Sequence, residues 1–458
     1  MNLEKYYPQM IQTIQNAVRI KTVLDAPVLG GPFGQGNKDC LAYVLSVAEQ
    51  LGFRTVNLDG YCGYAEIGEG KELVGIVGHL DVVPEGDGWK YPPYSGALEE
   101  GAIWGRGTID DKGPAIISLY AIKALMDDGF KFNKRVRVIF GCNEETGSLC
   151  MKHYLEVEEP ISYGVSPDSE FPVIFAEKTI NSVEIKGEST DGKGAKLVSL
   201  DGGIVINAVP DICTLTVNAN GENPSAVAQS KNGIEHEYAI DGDEIRFTVH
   251  GKAAHGSVPQ LGVNAISYAV AALDGVVNND FVRIYNTYIS TCVHGEKLGC
   301  FAEDEYGKIA VNVGLCHYEN CKFSIKINSR LPFSTDTKTM FNGIKSTLKN
   351  EVCAKVVLLS ESEGFKIDPD SDMIRVLYNA YREVTGDVES KPVCTPGGTY
   401  AREFDNCVAF GPEMKGYGEM IIHQPNERLT LEAMKAIFEI YVKAYADLID
   451  KVSFDSGK

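Results

Sequence analysis

Apolar and polar positions follow two different rhythms along the chain. Up to about residue 178, stretches with an apolar residue every three or four positions alternate with short, almost wholly apolar runs. Leu3 to Thr22 has the first pattern, as does "CLAYVLSVAEQL" (Cys40–Leu51), which Gly52 stops; both predict amphipathic helices. Leu73–Gly78 and Val136–Gly141 have the second pattern, that of strands buried on both faces. A long helix is predicted over Gly113–Asp128 and another from Ser148. This alternation predicts a mostly parallel sheet with helices on both faces.

From Thr179 the period shortens to two. "INSVEIKGE", "CTLTVNA", "EIRFTVHGKAAHG" and "KFSIKINSRLP" read as half-buried strands, with helices predicted at Asn264–Val276 and Thr337–Glu351. This is an α+β insertion with antiparallel sheets, in two strand-rich halves. The first rhythm returns with a helix over Asp372–Thr385, a strand at Cys407–Gly411 and a final helix over Thr430–Lys451. The expected organisation is an α/β catalytic domain formed by 1–178 and 367–458, interrupted by an α+β lid domain over 179–366.

A chain of 458 residues is too long for one compact core, which agrees with that division. The formal charge of -20, with no Lys/Arg run, argues against a nucleic-acid or anionic-membrane partner. No segment has the length and apolarity of a membrane span, and the N-terminus lacks the apolar stretch of a signal peptide. The expected location is the cytoplasm. The 12 cysteines are scattered without a C-x-x-C pair and read as reduced thiols.

Chemistry gathers where the apolar runs stop. "VGHLDVVPEGDGW" ends a strand with His79 and Asp81, two residues apart and therefore on one face. "GRGTIDDKG" sets Asp110 and Asp111 before a helix, and "CNEETGS" sets Glu144 and Glu145 after a strand. "SPDSEFP" offers Asp168, "IIHQPNE" offers His423, and "GKAAHGSVP" offers His255 inside the insertion. Each segment alone is weak: a Glu pair is usually a solvated loop, and an Asp after Pro usually caps a turn. Together they bring two imidazoles and several carboxylates to strand ends of one α/β domain, where such sheets hold their ligands. Carboxylates converging there repel unless cations lie among them. Mixed imidazole and carboxylate ligands suit Zn2+, with Mn2+ or Co2+ as substitutes.

The order His-x-Asp, Asp-Asp-Lys-Gly, Glu-Glu, Ser-Pro-Asp-x-Glu, Ala-His-Gly and His-Gln-Pro-Asn-Glu resembles the dinuclear-zinc aminoacylase/carboxypeptidase/dipeptidase family, over essentially the whole chain. "GHLDVVPEGDGW", "GRGTIDDKGP", "SPDSEFPV" and "HQPNE" resemble its dipeptidase V (Xaa-His dipeptidase, carnosinase-like) branch. One departure is Thr179, which follows Lys178 where the family pattern has Gly.

The resemblance implies a zinc-exopeptidase-like catalytic domain with two Zn2+ per chain. Asp110 would bridge the metals, His79 and Asp168 would complete one shell, and Glu145 and His423 the other. Asp81 would orient His79, and Glu144 would be the general base. His255 would stabilise the oxyanion and Arg330 would pair with the substrate's terminal carboxylate. Asn207 and the loop Gly397, Gly398, Thr399 would also contact substrate. The bond between Asp110 and Asp111 would be cis. The implied activity is hydrolysis of unblocked dipeptides. Alternatives are an N-acyl-amino-acid amidohydrolase or desuccinylase using the same centre, and an inactive metal-binding protein, against which the intact Glu144 argues. Insertions of the shorter family members dimerise; the longer one here predicts a monomer.

Overall fold

The computed structural model of the chain describes residues 1–228, 236–418 and 421–453. It divides into two compact units, Met1–Glu177 with Lys366–Lys458, and Lys178–Phe365.

The first unit is built on a nine-stranded sheet. At its centre Arg135–Gly141, Leu73–His79, Tyr163–Ser166 and Cys407–Ala409 lie side by side and parallel. Leu73–His79 is buried at every position, as its unbroken apolar run predicts. The antiparallel hairpin Arg54–Leu58 and Cys62–Ile67 extends one side. On the other, Ile174–Glu177 joins antiparallel to Cys407–Ala409, with Val393–Thr395 parallel beside it.

Helices cover both faces of this sheet, and two neighbouring residues show why. A Cβ on Gly63 would lie 2.8 Å from the Leu45 side chain, so the glycine admits the helix Gln35–Gln50 close to the strand. Cys62, one residue earlier, directs its thiol to the Cys150 carbonyl in the helix Leu149–Val157. Successive strand residues face opposite ways, so these two helices lie on opposite faces. The helix Lys112–Asp127 packs against Leu73–His79 and against the C-terminal helix Leu431–Lys451. The helix Gln35–Gln50 begins five residues before the predicted start at Cys40. Its Gly36 sits where a Cβ would be 1.8 Å from the Lys21 carbonyl oxygen, so a residue that reads as loop in fact marks a close crossing of two backbones.

The second unit is built on an eight-stranded antiparallel sheet. Its order is His236–Asp241, Glu244–His250, Ile212–Asn218, Lys196–Gly202, Ala310–Glu319, Lys322–Leu331, Thr179–Glu188 and Ala354–Ser362. The two strand-rich halves are continuous, joined where Ser199–Gly202 pairs with Cys316–Glu319. Val183, Leu215, Ile266, Phe281, Ile325 and Met340 belong to the core that this sheet shares with the helices Ala265–Ala272 and Thr337–Thr347. Among the described residues no helix is long and apolar enough to cross a membrane.

Candidate metal centre

Three adjacent parallel strands of the first unit deliver residues at their carboxyl ends, as open α/β sheets do. His79 is the last residue of its strand, Glu144 and Glu145 follow Arg135–Gly141, and Asp168 follows Tyr163–Ser166. Asp110 lies in the turn before the helix Lys112–Asp127, and the bond from Asp110 to Asp111 is cis. Gly78 makes the junction possible. A Cβ there would sit 2.5 Å from Asp111 Oδ2, and that same oxygen accepts the His79 backbone N–H at 3.0 Å. Asp111 thus ties the strand end to the Asp110 turn.

The two histidines share one carboxylate. His79 Nε2 lies 3.0 Å from Asp110 Oδ1, and His423 Nε2 lies 2.8 Å from Asp110 Oδ2. Asp168 Oδ2 is 3.6 Å from His79 Nε2, and Glu145 Oε1 is 3.2 Å from His423 Nε2. Two overlapping triads result, His79 with Asp110 and Glu145, and His79 with Glu144 and Asp168, each with its donor atoms within 4.8 Å of one another. Glu144 therefore reaches the same space as the proposed ligands. A small cavity of about 30 Å³ beside Asp110 and Asp168 is also lined by Ile109, Ser169, Pro412, Glu413 and Ile422.

The donor set fits divalent cations. His79 Nε2 is fully buried and, although Asp110 Oδ1 lies 3.0 Å away, it makes no well-aligned hydrogen bond among the described residues. Its Nδ1 lies 3.0 Å from the backbone carbonyl of Asp81, which can only accept, so Nδ1 carries a proton and Nε2 is the nitrogen left to face the carboxylates, protonated there in the metal-free chain and free to offer a lone pair to a cation. The Asp81 carboxylate is further off, at 3.5 Å, because its two oxygens accept the backbone N–H groups of Glu144 at 3.0 Å and Glu145 at 3.1 Å. Asp81 thus orients His79 through its main chain and the Glu144–Glu145 loop through its side chain. The side-chain half of that role is not visible in the spacing of His79 and Asp81.

Electrostatics in the unliganded chain show strong mutual perturbation. Burial raises the Asp168 carboxyl to about 7 against the pull of His79, with Asp110 and Glu145 adding to the rise. Burial and Asp168 push Glu144 well above the ordinary range, and burial with Asp110 raises Glu145. For Asp110, burial is outweighed by His423 and His79, and its carboxyl is lowered. His423, although half-exposed, is raised to about 11 because Asp110 and Glu145 overcome its desolvation. Its backbone has φ of 58°, a left-handed conformation that costs a non-glycine residue roughly 1–2 kcal/mol. Such residues concentrate at functional sites.

The remaining candidates fall in two places. Thr399 donates its hydroxyl to the buried Glu177 at 2.7 Å and its N–H to the same carboxylate at 3.2 Å, which Arg402 also binds at 2.9 Å. Gly398 lies against the Arg402 guanidinium, and Gly397 donates to the Thr395 hydroxyl, so this loop of the first unit is shaped around Glu177. In the second unit Asn207 and His255 are brought together: Ala208 pairs with His255, and the Asn207 carbonyl accepts the Gly256 N–H at 2.7 Å. His255 is exposed, with Nδ1 at 2.6 Å from the Ser257 hydroxyl. Arg330 is buried on its strand opposite Ala310 and donates to Asn328 at 2.6 Å. Sequence reasoning gave no role to Asp111 or to Glu427, both fully buried around the Asp110 turn. Their place inside the motifs "TIDDKG" and "HQPNE" was the available signal.

The family model described as Peptidase family M20/M25/M40 matches residues 75–447. A protein of Staphylococcus epidermidis named "Putative dipeptidase" is 33% identical, covering 96% of this chain and 97% of its own. A protein of Staphylococcus haemolyticus that carries the same description is also 33% identical, over 97% of this chain and 98% of its own. Among solved structures, human carnosine dipeptidase 1 superposes with a TM-score of 0.58 at 15% identity, covering 98% of this chain and 97% of that one. Aminoacylhistidine dipeptidase from Vibrio alginolyticus gives 0.56 at 14% identity, with 99% of each chain covered. At such identities these two share the fold. The chain belongs to the peptidase family M20/M25/M40 and is a hydrolase acting on peptide bonds.

Proposed function

We propose that this peptidase hydrolyses unblocked dipeptides at a centre of two divalent cations, zinc first among them, held by His79, Asp110, Glu145, Asp168 and His423. The observation that carries the reading is Asp110, whose two oxygens face two different histidines at 3.0 and 2.8 Å. A carboxylate so placed suits a bridging ligand. The dipeptidase names of its relatives at 33% identity support the substrate class.

Bound there, the cations supply a Lewis acid for the scissile carbonyl and lower the pKa of an attacking water towards ~7. The chain's own groups do the rest. Asp110, Glu145 and Asp168 carry three negative charges, fewer than the four positive charges of two divalent ions, so the centre keeps an attraction for a developing oxyanion. Glu144 stays off the metals, takes a proton from the water and returns it to the leaving amine. In the metal-free chain burial and the neighbouring Asp168 raise its carboxyl above the ordinary range, the direction that suits a general base. Asp81 holds the amides on both sides of that base in place. The family resemblance would further give His255 the oxyanion, Arg330 the terminal carboxylate, and Asn207 and the Gly397–Thr399 loop the remaining substrate; Arg330 at present donates to Asn328 and Thr399 to Glu177.

The test is a panel of Ala-Ala, β-Ala-His and N-acetyl-alanine offered to the metal-loaded protein. Faster turnover of the free dipeptides is expected. Turnover confined to the N-acetylated amino acid would assign the centre to acyl-amino-acid hydrolysis instead.

A further inference from the structure

We propose that Glu427 is the positioning residue of this centre: it fixes the Asp110 turn and couples that turn to the segment bearing His423. The inference rests on the metal-centre reading above. Glu427 is completely buried. Its Oε1 accepts three backbone amides of one turn, from Gly107 at 3.0 Å, Ile109 at 2.9 Å and Asp110 at 3.3 Å. Its Oε2 accepts from Arg106 Nη1 at 2.7 Å, and Arg106 is itself 1% exposed. The second terminal nitrogen of Arg106 reaches the carbonyls of Pro84 at 3.4 Å and Glu85 at 3.3 Å, just beyond His79 and Asp81. Three segments that supply the centre thus converge on one ion pair.

The His423 side of the coupling is also anchored. The Glu427 carbonyl accepts the Gly105 N–H at 3.0 Å, and Arg428–Thr430 pairs with Ala102–Trp104. Asn426 accepts the Lys90 N–H at 2.7 Å and donates to the Gly88 carbonyl at 3.3 Å. Between them the backbone is left-handed at His423 (φ 58°) and Asn426 (φ 72°), conformations held only where surroundings over-determine them. A carboxylate needed only to balance Arg106 would require one oxygen. The other oxygen is given entirely to the amides that lead into Asp110, and this sets where the Asp110 carboxylate points.

The test titrates Zn2+ into metal-free protein by calorimetry, beside thermal unfolding of the same metal-free samples. Glu427→Gln places an amide donor against the Arg106 guanidinium or the backbone amides, so zinc affinity is expected to fall about 10–100-fold. Glu427→Asp keeps the charge but withdraws the oxygens from the amides; it is expected to bind zinc more weakly too, and serves if the Gln variant does not fold. Glu66→Gln is the control. It breaks another buried pair, with Arg137, and is expected to lower the unfolding temperature while leaving zinc affinity unchanged. A wild-type protein that takes up no zinc would refute the centre itself. Folded Glu427 variants with wild-type zinc affinity would overturn this role and leave the centre standing. An equal affinity loss in Glu66→Gln would overturn it as well, because the effect would then be general destabilisation.

Discussion

Glu144 and Glu145 are neighbours with the same side chain, yet their surroundings separate them. Glu145 lies 3.2 Å from His423, whereas Glu144 lies in the triad with His79 and Asp168. Both backbone amides are held by the two oxygens of Asp81, so the division of labour depends on one buried carboxylate behind them. If Glu144 is the base, Glu144→Gln keeps the shape and loses only the basic group. Metal content should stay at the wild-type level while the rate falls by roughly 10²–10⁴. Metal analysis with steady-state kinetics on one preparation checks this, and near wild-type turnover in the metallated variant would refute the assignment.

At the scale of elements, the centre depends on where strands and turns end. His79, Glu144, Glu145 and Asp168 are carried by the ends of three buried parallel strands, and the apolar runs before them make those ends legible in the sequence. His423 has no such support: it stands on a left-handed turn and is half-exposed. His423→Ala is therefore expected to lower the metal content below that of wild type while the fold persists, as elemental analysis after gel filtration can show. Unchanged metal content with lost activity would remove His423 from the ligand set. What sequence reasoning missed was held by the backbone. Glu427 acts on three amides, Asp81 on two, and no side-chain pattern announces an amide acceptor. The strand Cys62–Ile67 was missed because Gly63 and Glu66 break its apolar run. In the fold Gly63 admits a helix, and the buried Glu66 is paired with Arg137.

For the molecule as a whole, the metal-free chain carries a cluster of buried carboxylates. Asp168 is raised to about 7, chiefly by burial, from an unfolded value of roughly 4. Protons therefore bind the folded chain more tightly than the unfolded one. The stability they contribute is complete below about pH 4 and is lost as pH rises towards about 7. Metal-free protein is expected to unfold at a lower temperature at about pH 7.5 than at about pH 5. Cations that take the protons' place should remove that loss, so the gain in unfolding temperature on adding zinc should grow over this interval. Equal gains at the two pH values would contradict the electrostatic account.

The most direct measurement is a titration of zinc into the metal-free protein while hydrolysis of Ala-Ala is followed. The account predicts negligible turnover without metal, rising to a plateau at two zinc ions per chain. Turnover by the metal-free protein, or a plateau reached at one zinc per chain, would contradict it.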